Sequence, residues 1–331
     1  MSLLTRHLPT NRPALVLAPM QDITDLPFWR VIHHYGDPDL YYTEYFRVHV
    51  DSRPERHILR SIDENPSGQP VIAQMIGQDI PALVRTAIAL QKHNVVGIDL
   101  NLGCPAPIVC RKNAGGGLLR HPEQIDAILA ALRPVISIAF TVKTRIGYDS
   151  PDEFDRLLEI FTRHPIDALT VHGRTVREMY KPVLHYDRIK QAVAAMPCPV
   201  FANGNVLDIP QAEHSLAVTG AAGLMLGRGV IRNPWLFRQL RAHHAGEPVP
   251  HPTRRELREY IDRLYRETWL PEYQDHDHVA KMKKYLNYVG LGLDADDAFL
   301  RDMRLARLPE DFFAVCDKHL LRDDVAFAPN I

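Results

Sequence analysis

Short apolar runs, each closed by turn residues, recur along the first two-thirds of the chain. They are "ALVLAP" from Ala14, "LYYTEYF" from Leu40, "VIAQM" from Val71, "VGIDLNLG" from Val96, "IAFTVKTRIG" from Ile138, "ALTVHG" from Ala168, "PVFANG" from Pro199 and "GLMLGRG" from Gly223. Between most of them lies a stretch such as "DIPALVRTAIALQKHN" or "HPEQIDAILAALRPV", whose apolar residues stand three and four apart, the period of a one-sided helix. Apolar strands alternating with such helices predict parallel βαβ units. Eight of them are what a (β/α)8 TIM barrel requires, in roughly 250 residues. A doubly wound sheet is the rival, but its usual glycine fingerprint is missing from the first turn, "APMQDITD". The predicted fold is therefore α/β, a TIM barrel over residues 1–246. Prolines at 248, 250 and 252 mark a linker, 247–252, and the helix-like remainder, 253–331, predicts a small helical-bundle domain.

Composition narrows the class without changing that picture. The chain has 331 residues, 46% apolar and 24% charged, as soluble globular enzymes do. No apolar run approaches the roughly 20 residues of a membrane helix, and "MSLLTRHLPTNRP" lacks the apolar core of a signal peptide. A cytoplasmic protein, with no membrane and no metal, is expected. The four cysteines (Cys104, Cys110, Cys198, Cys316) form no CxxC pair and no zinc-like cluster, so they read as reduced thiols. A net charge of −1 neither demands nor excludes nucleic acid, and any acidic partner must meet a local basic patch.

In barrels the catalytic groups sit at the carboxyl ends of strands. The runs end, in order, on Met20 and Gln21, Glu44, Gln74, Asn101 and Cys104, Lys143 and Arg145, His172 and Arg174, Asn203, then Gly227 and Arg228. Any one of these reads as a cap; together they assemble amides, a lysine, a histidine and a thiol, with no close carboxylate pair for hydrolysis. The thiol stands in "NLGCPAPIVCRKNAGGG", where Pro105, Pro107 and Gly115 to Gly117 make a collar that a packing cysteine does not need. "ANGN" and "GRG" put glycine-flanked amides after the last two strands, where barrels commonly bind phosphate. Lys143 alone would also suit a Schiff-base lyase.

As a set, "APMQDITDLPFWR", "NLGCPAP", "NAGGGLL", "VKTRIGY", "VHGRT", "ANGNV" and "GLMLGRGVIRNPWLF" resemble the tRNA-dihydrouridine synthases, from Ala18 to about Phe237 and in family order. "HVAKMKKYLNYV" and "TEYFRVHV" look most like the bacterial C-type branch, which acts on tRNA position 16. The resemblance implies an FMN enzyme, reduced by NADPH or NADH, that reduces the 5,6 double bond of a D-loop uridine. It implies that Cys104 donates the proton; thiols as a class are mostly protonated near neutrality and can serve as general acids. Lys143 and His172 would face the flavin. Gln74 and the backbone at Pro19, Met20 and Gln21 would bond the ring's polar edge, and Asn203, Gly204, Asn205, Gly227 and Arg228 its phosphate. Two departures stand out: Gln21 and Asp22 replace small residues, and Asn205 replaces a common aspartate.

For the tRNA partner, Lys281, Lys284 and Tyr288 fall on one helical face, with Lys283 beside it. A base-modifying enzyme must take its target out of the stack. Tyr180 is a candidate pocket wall, Arg47 and Asn101 are candidate contacts to the base, and Arg145 is a further candidate tRNA contact. Arg111, Lys112, Arg174, Arg177 and Lys181 are candidate phosphate contacts at the rim. The chain is expected to act as a monomer. The alternatives are a small-molecule pyrimidine flavin oxidoreductase, the Schiff-base barrel lyase, and an inactive barrel that only binds RNA.

Overall fold

A polar side chain in the middle of an apolar strand must find its partner inside the fold, and this constraint shapes the architecture from the strands outward. The computed structural model describes residues 2–294 and 296–321; the last ten residues of the predicted helical domain, 322–331, lie outside the described residues. Nine strands form one parallel sheet: β1 (Ala14–Leu17), β2 (Tyr41–Tyr42), β3 (Phe46–Arg47), β4 (Val71–Ile76), β5 (Gly97–Leu102), β6 (Ala139–Arg145), β7 (Ala168–His172), β8 (Val200–Asn203) and β9 (Gly223–Leu226). Their order is β1-β9-β8-β7-β6-β5-β4-β2, with β3 also on β4. A parallel bridge between Val16 and Leu40 closes the ring, giving the TIM barrel expected from the alternation of runs. The second run is broken in two, because Thr43 turns its hydroxyl to the Gln74 N–H and Glu44 accepts from the Asp22 N–H.

Side chains two apart share a face of a strand. On the inner face the amino-terminal positions are apolar: Ala14, Val16, Tyr42, Ile72, Ala139, Ala168, Phe201 and Met225 form one cluster. Leu4 is fully buried in the same cluster, and its segment is tied by the Ser2 hydroxyl and the Leu3 N–H to Asp167. The segment around Leu4 thus plugs the amino-terminal end of the barrel. Leu4→Ala is expected to cost about 2–4 kcal/mol, as core leucine truncations do. Urea unfolding should show a lower midpoint at an unchanged slope; an unchanged midpoint would mean that the plug carries no load.

The connecting helices bury one stripe each. Pro122–Leu132 buries Ile125, Ile128, Leu129 and Leu132, and Ile80–Leu90 starts where the Asp79 carboxylate accepts from the Ala82 N–H at 2.8 Å.

By internal contacts the chain divides into two units. One holds Met1–Asp22, Pro38–Val206 and Pro210–Gly227, which carry all nine strands. The other holds Ile23–Asp37, Leu207–Ile209 and the chain from Arg228 onward. Within this second unit Tyr35, from helix Leu26–Tyr35, meets Trp235 and Tyr260 edge-on at 4.9 and 5.5 Å. Helix Arg254–Thr268 opens with a capping box between Thr253 and Glu256. Helices Asp275–Val289, Ala298–Leu305 and Pro309–Leu320 follow. The predicted linker, 247–252, lies inside the second unit, where the Pro250 carbonyl accepts from the Gln239 amide at 2.9 Å.

Candidate active site

The carboxyl ends of β4 to β8 carry polar side chains that hold one another. Asn101, near the end of β5, turns its Oδ1 onto the N–H groups of Gly103 and Cys104, both at 2.9 Å. This fixes the turn on which the thiol stands. The glycine collar closes it from the other side: Gly116 donates its N–H to the Cys104 carbonyl at 3.0 Å. A Cβ on Gly115, whose φ is +53°, would stand 2.8 Å from Ile76 Cδ1 and 3.1 Å from Cys104 Cβ. Only glycine allows that approach. Cys104 keeps partial exposure, while Cys110 is buried with its Sγ 3.5 Å from the Cys104 carbonyl. Burial pushes the Cys110 thiol up, so it stays protonated and inert.

Tyr45 places its hydroxyl 4.0 Å from Cys104 Sγ. Burial, reinforced by the thiol itself, raises the phenol well above its ordinary pKa, so it remains a neutral donor. The exposed guanidinium of Arg47 lies 5.6 Å above the same ring. The sequence reading missed Tyr45; its signal was an aromatic hydroxyl in "TEYF" directly after a strand.

Lys143, opposite Asn101 in the β5–β6 register, donates to Asn203 Oδ1 at 3.2 Å, and Asn203 donates onward to the Met225 carbonyl at 2.8 Å. The residue as a whole is only partly covered, yet its ammonium is densely surrounded. The surroundings decide its titration: burial, and then the nearby Arg145 charge, lower its pKa to about 8. Among the described residues no carboxylate pairs with it. His172 accepts at Nε2 from Arg174 at 3.0 Å, which assigns the ring proton to Nδ1. Gly204, at φ +124°, lies so close to His172 that a Cβ there would come within 3.3 Å of its ring and 2.7 Å of Leu184.

Several expected roles change. Gln74 is fully buried, and its amide is taken up by Asp99 and Asn101 at 2.8 Å each, so it sits a layer beneath the mouth. Arg145, expected to contact tRNA, is not exposed. Its guanidinium is buried and donates to the carbonyls of Gly103, Thr175 and Met179, which ties the loops after β5 and β7 to the end of β6. Burial lowers even this group, to about 10. Arg174 is likewise no rim cation: it is buried and bonds Lys181, Pro182 and Asn205. Arg177 is exposed but paired with Asp149.

In the second unit Lys281 forms an ion pair with Asp25 at 3.1 Å, and Lys283 donates to the carbonyls of Arg304 and Ala306, so neither cation projects unpaired. Lys284 is exposed and Tyr288 half-buried. Tyr180 is 56% exposed, with the Arg145 guanidinium 5.7 Å from its ring. Arg111, Lys112 and Lys181 are exposed. Arg228 follows Gly227 in sequence and begins the last segment of the second unit.

A flavin can be tested against these residues. Gln21 Oε1 is buried without a hydrogen-bond partner among the described residues, and the Lys143 ammonium donates to a neutral amide, that of Asn203. An orphaned acceptor after β1 and an enclosed cation without an ion-pair partner on β6 fit a planar heterocycle that donates hydrogen bonds and gathers negative charge. Among the described residues no group of three or more His, Cys, Asp or Glu could hold a metal, and no helix is long and apolar enough to cross a membrane.

Fold and site define a (β/α)8-barrel oxidoreductase whose strand ends present a fixed thiol and an enclosed lysine. The sequence model of the dihydrouridine synthase family matches residues 16–323, and the chain belongs to that family. It is 32% identical to the tRNA-dihydrouridine(16) synthase of Haemophilus ducreyi over 84% of this chain and 86% of the relative. With the enzyme of the same name from Shewanella oneidensis it shares 28% over 92% and 97%. With the tRNA-dihydrouridine synthase B of Pasteurella multocida it shares 34% over 68% of each.

Proposed function

We propose that this protein is a flavin-dependent tRNA-dihydrouridine synthase that reduces the uridine at position 16 of the D loop, with FMN as cofactor and NADPH as reductant, in the cytoplasm. The observation that carries the reading is the Cys104 turn, pinned by Asn101 on one side and by the Gly116 N–H on the other. A flavin, when bound, supplies the hydride to one carbon of the 5,6 double bond. The chain supplies the rest. Cys104 gives its thiol proton to the other carbon, so that an S–H bond breaks and a C–H bond forms. The thiolate left behind accepts from the neutral Tyr45 hydroxyl, whose oxygen lies 4.0 Å away in the resting protein. Lys143 holds positive charge beside the ring and His172 faces it. Pro19, Met20 and Gln21 bond its edge, and Asn203, Gly204, Asn205 and Gly227 approach its phosphate with amides. Tyr180 and Asn101 meet the extracted base, while Arg47, Lys284 and Tyr288 contact the RNA.

Coverage supports position 16. Matches to the proteins named for that position span 84% and 92% of this chain, whereas the B-type match in Pasteurella multocida spans 68%. The more extensive likeness is to proteins of the first kind. The test is a tRNA transcript treated with the purified protein and NADPH, with dihydrouridine mapped by position. One product at position 16, lost when that uridine is changed to cytidine, is expected. Product elsewhere would refute the position, and none at all would refute the activity.

A further inference from the structure

The bonds beneath Cys104 have a direction, and it starts at a residue that touches neither thiol nor cofactor. Asp99 lies two positions before Asn101 in β5, hence on the same inner face, and is fully buried. Gln74 stands opposite it on β4 and Thr141 opposite it on β6. One carboxyl oxygen accepts from Gln74 Nε2 at 2.8 Å and the other from the Thr141 hydroxyl at 2.6 Å. Because the Gln74 nitrogen is taken by Asp99, its oxygen faces Asn101 and accepts from Asn101 Nδ2 at 2.8 Å. Because the Asn101 nitrogen is taken in turn, its oxygen faces the N–H groups of Gly103 and Cys104. Reversing either amide would set two donors or two acceptors face to face in a buried place.

We infer that Asp99 is a positioning residue for the proton donor: as an acceptor toward Gln74 it fixes which way the Gln74 and Asn101 amides point, and so holds the Cys104 turn in register. The inference rests on the proposed reaction and adds a residue to it. An apolar side chain would suit an interior barrel position better than a carboxyl removed from water, so the polarity that Asp99 imposes is the reason for its presence. Burial raises its pKa to about 7, against the pull of Thr141, Gln74 and Lys143. A proton held near neutrality is accommodated on the Thr141 side, since that hydroxyl accepts as readily as it donates. The direction of the chain survives it.

Two substitutions separate polarity from charge. Asp99→Asn keeps an oxygen for Gln74 and offers its nitrogen to Thr141. It should reduce tRNA uridine within about threefold of the wild type, the modest scale of one rearranged neutral hydrogen bond. Asp99→Val removes the acceptor and should lose about tenfold or more, with flavin content and flavin reduction by NADPH unchanged. In a Gln74→Leu background Asp99→Val should add almost nothing, because the residue through which Asp99 acts is gone. A readout independent of turnover is the iodoacetamide alkylation rate of Cys104, followed by peptide mapping in cofactor-free protein. It should change in Asp99→Val and hold in Asp99→Asn.

Wild-type activity in Asp99→Val, full additivity with Gln74→Leu, or a loss in Asp99→Asn as large as that in Asp99→Val would overturn the inference. Should Asp99→Val fail to fold, a tenfold or greater loss in Asp99→Asn would do so alone. A wild-type protein that forms no dihydrouridine would count against the proposed function instead, and the alkylation rates would still decide the role of Asp99.

Discussion

Replacing Cys104 by alanine is expected to lower dihydrouridine formation by roughly a thousandfold, within the range that a positioned proton donor contributes. No neighbour can take over. The Tyr45 phenol is held above its ordinary pKa by burial, which keeps it protonated and makes it a poor acid. The Cys110 thiol is also raised, is buried, and points at the Cys104 carbonyl rather than into the mouth. The turn itself should survive, because the bonds that hold it are made by backbone atoms of residue 104. The variant should therefore keep its flavin and accept electrons from NADPH at the normal rate while tRNA uridine stays unreduced. Stopped-flow reduction of the bound flavin, followed by single-turnover reoxidation with tRNA, separates the two half-reactions. Normal reoxidation by tRNA would remove Cys104 from the mechanism.

Lys143→Met is expected to do two opposite things. In cofactor-free protein it should raise stability near pH 7. Folding lowers the pKa of this lysine from 10.5 to about 8, so the charged form is disfavoured in the folded chain by at most about 3 kcal/mol. The lost bond to Asn203 offsets part of the gain. For such a group the unfolded chain binds more protons between pH 8 and 10.5, so wild-type stability should rise across that interval, and the variant should lack the rise. Asp99 works in the other direction. Its raised pKa makes stability fall as pH climbs from 3.8 towards about 7, and without the Lys143 charge that fall should extend to higher pH. The same substitution should strip the protein of flavin and with it of activity, since the cation that would meet the ring is gone. Urea unfolding at pH 7 and pH 9.5 checks the first effect and flavin absorbance of the purified protein the second. A variant less stable than the wild type at pH 7, or one that purifies with a full complement of flavin, would contradict this account of Lys143.

The strands were legible because parallel barrel strands are covered on both faces and read as continuous apolar runs. All eight runs became strands of one closed sheet. Polar residues at their ends stood out against that background, so Asn101, Cys104, Lys143, His172 and Asn203 could be named from the one-dimensional pattern. Asp99 carried the same signal, a charge within "VVGIDLNLG", but it stood too deep in its run to count as a strand end.

Residue type and local spacing determined which groups line the mouth. Tertiary structure decided what each long side chain does there. Arg145 looked like a tRNA contact until carbonyls 30 and 34 positions away took its guanidinium, and Arg174 looked like a rim cation until carbonyls of its own loop and the Asn205 amide took its own. Lys281 looked like an RNA contact until Asp25, 256 positions away, paired with it. Leu4 carried no signal of its own in "MSLLTRHLPTNRP", and the amino-terminal end of the barrel buried it. A lysine or arginine reaches several ångströms in many directions at little cost. Its partner is chosen by which backbone the fold brings within that reach, and local sequence does not encode that choice.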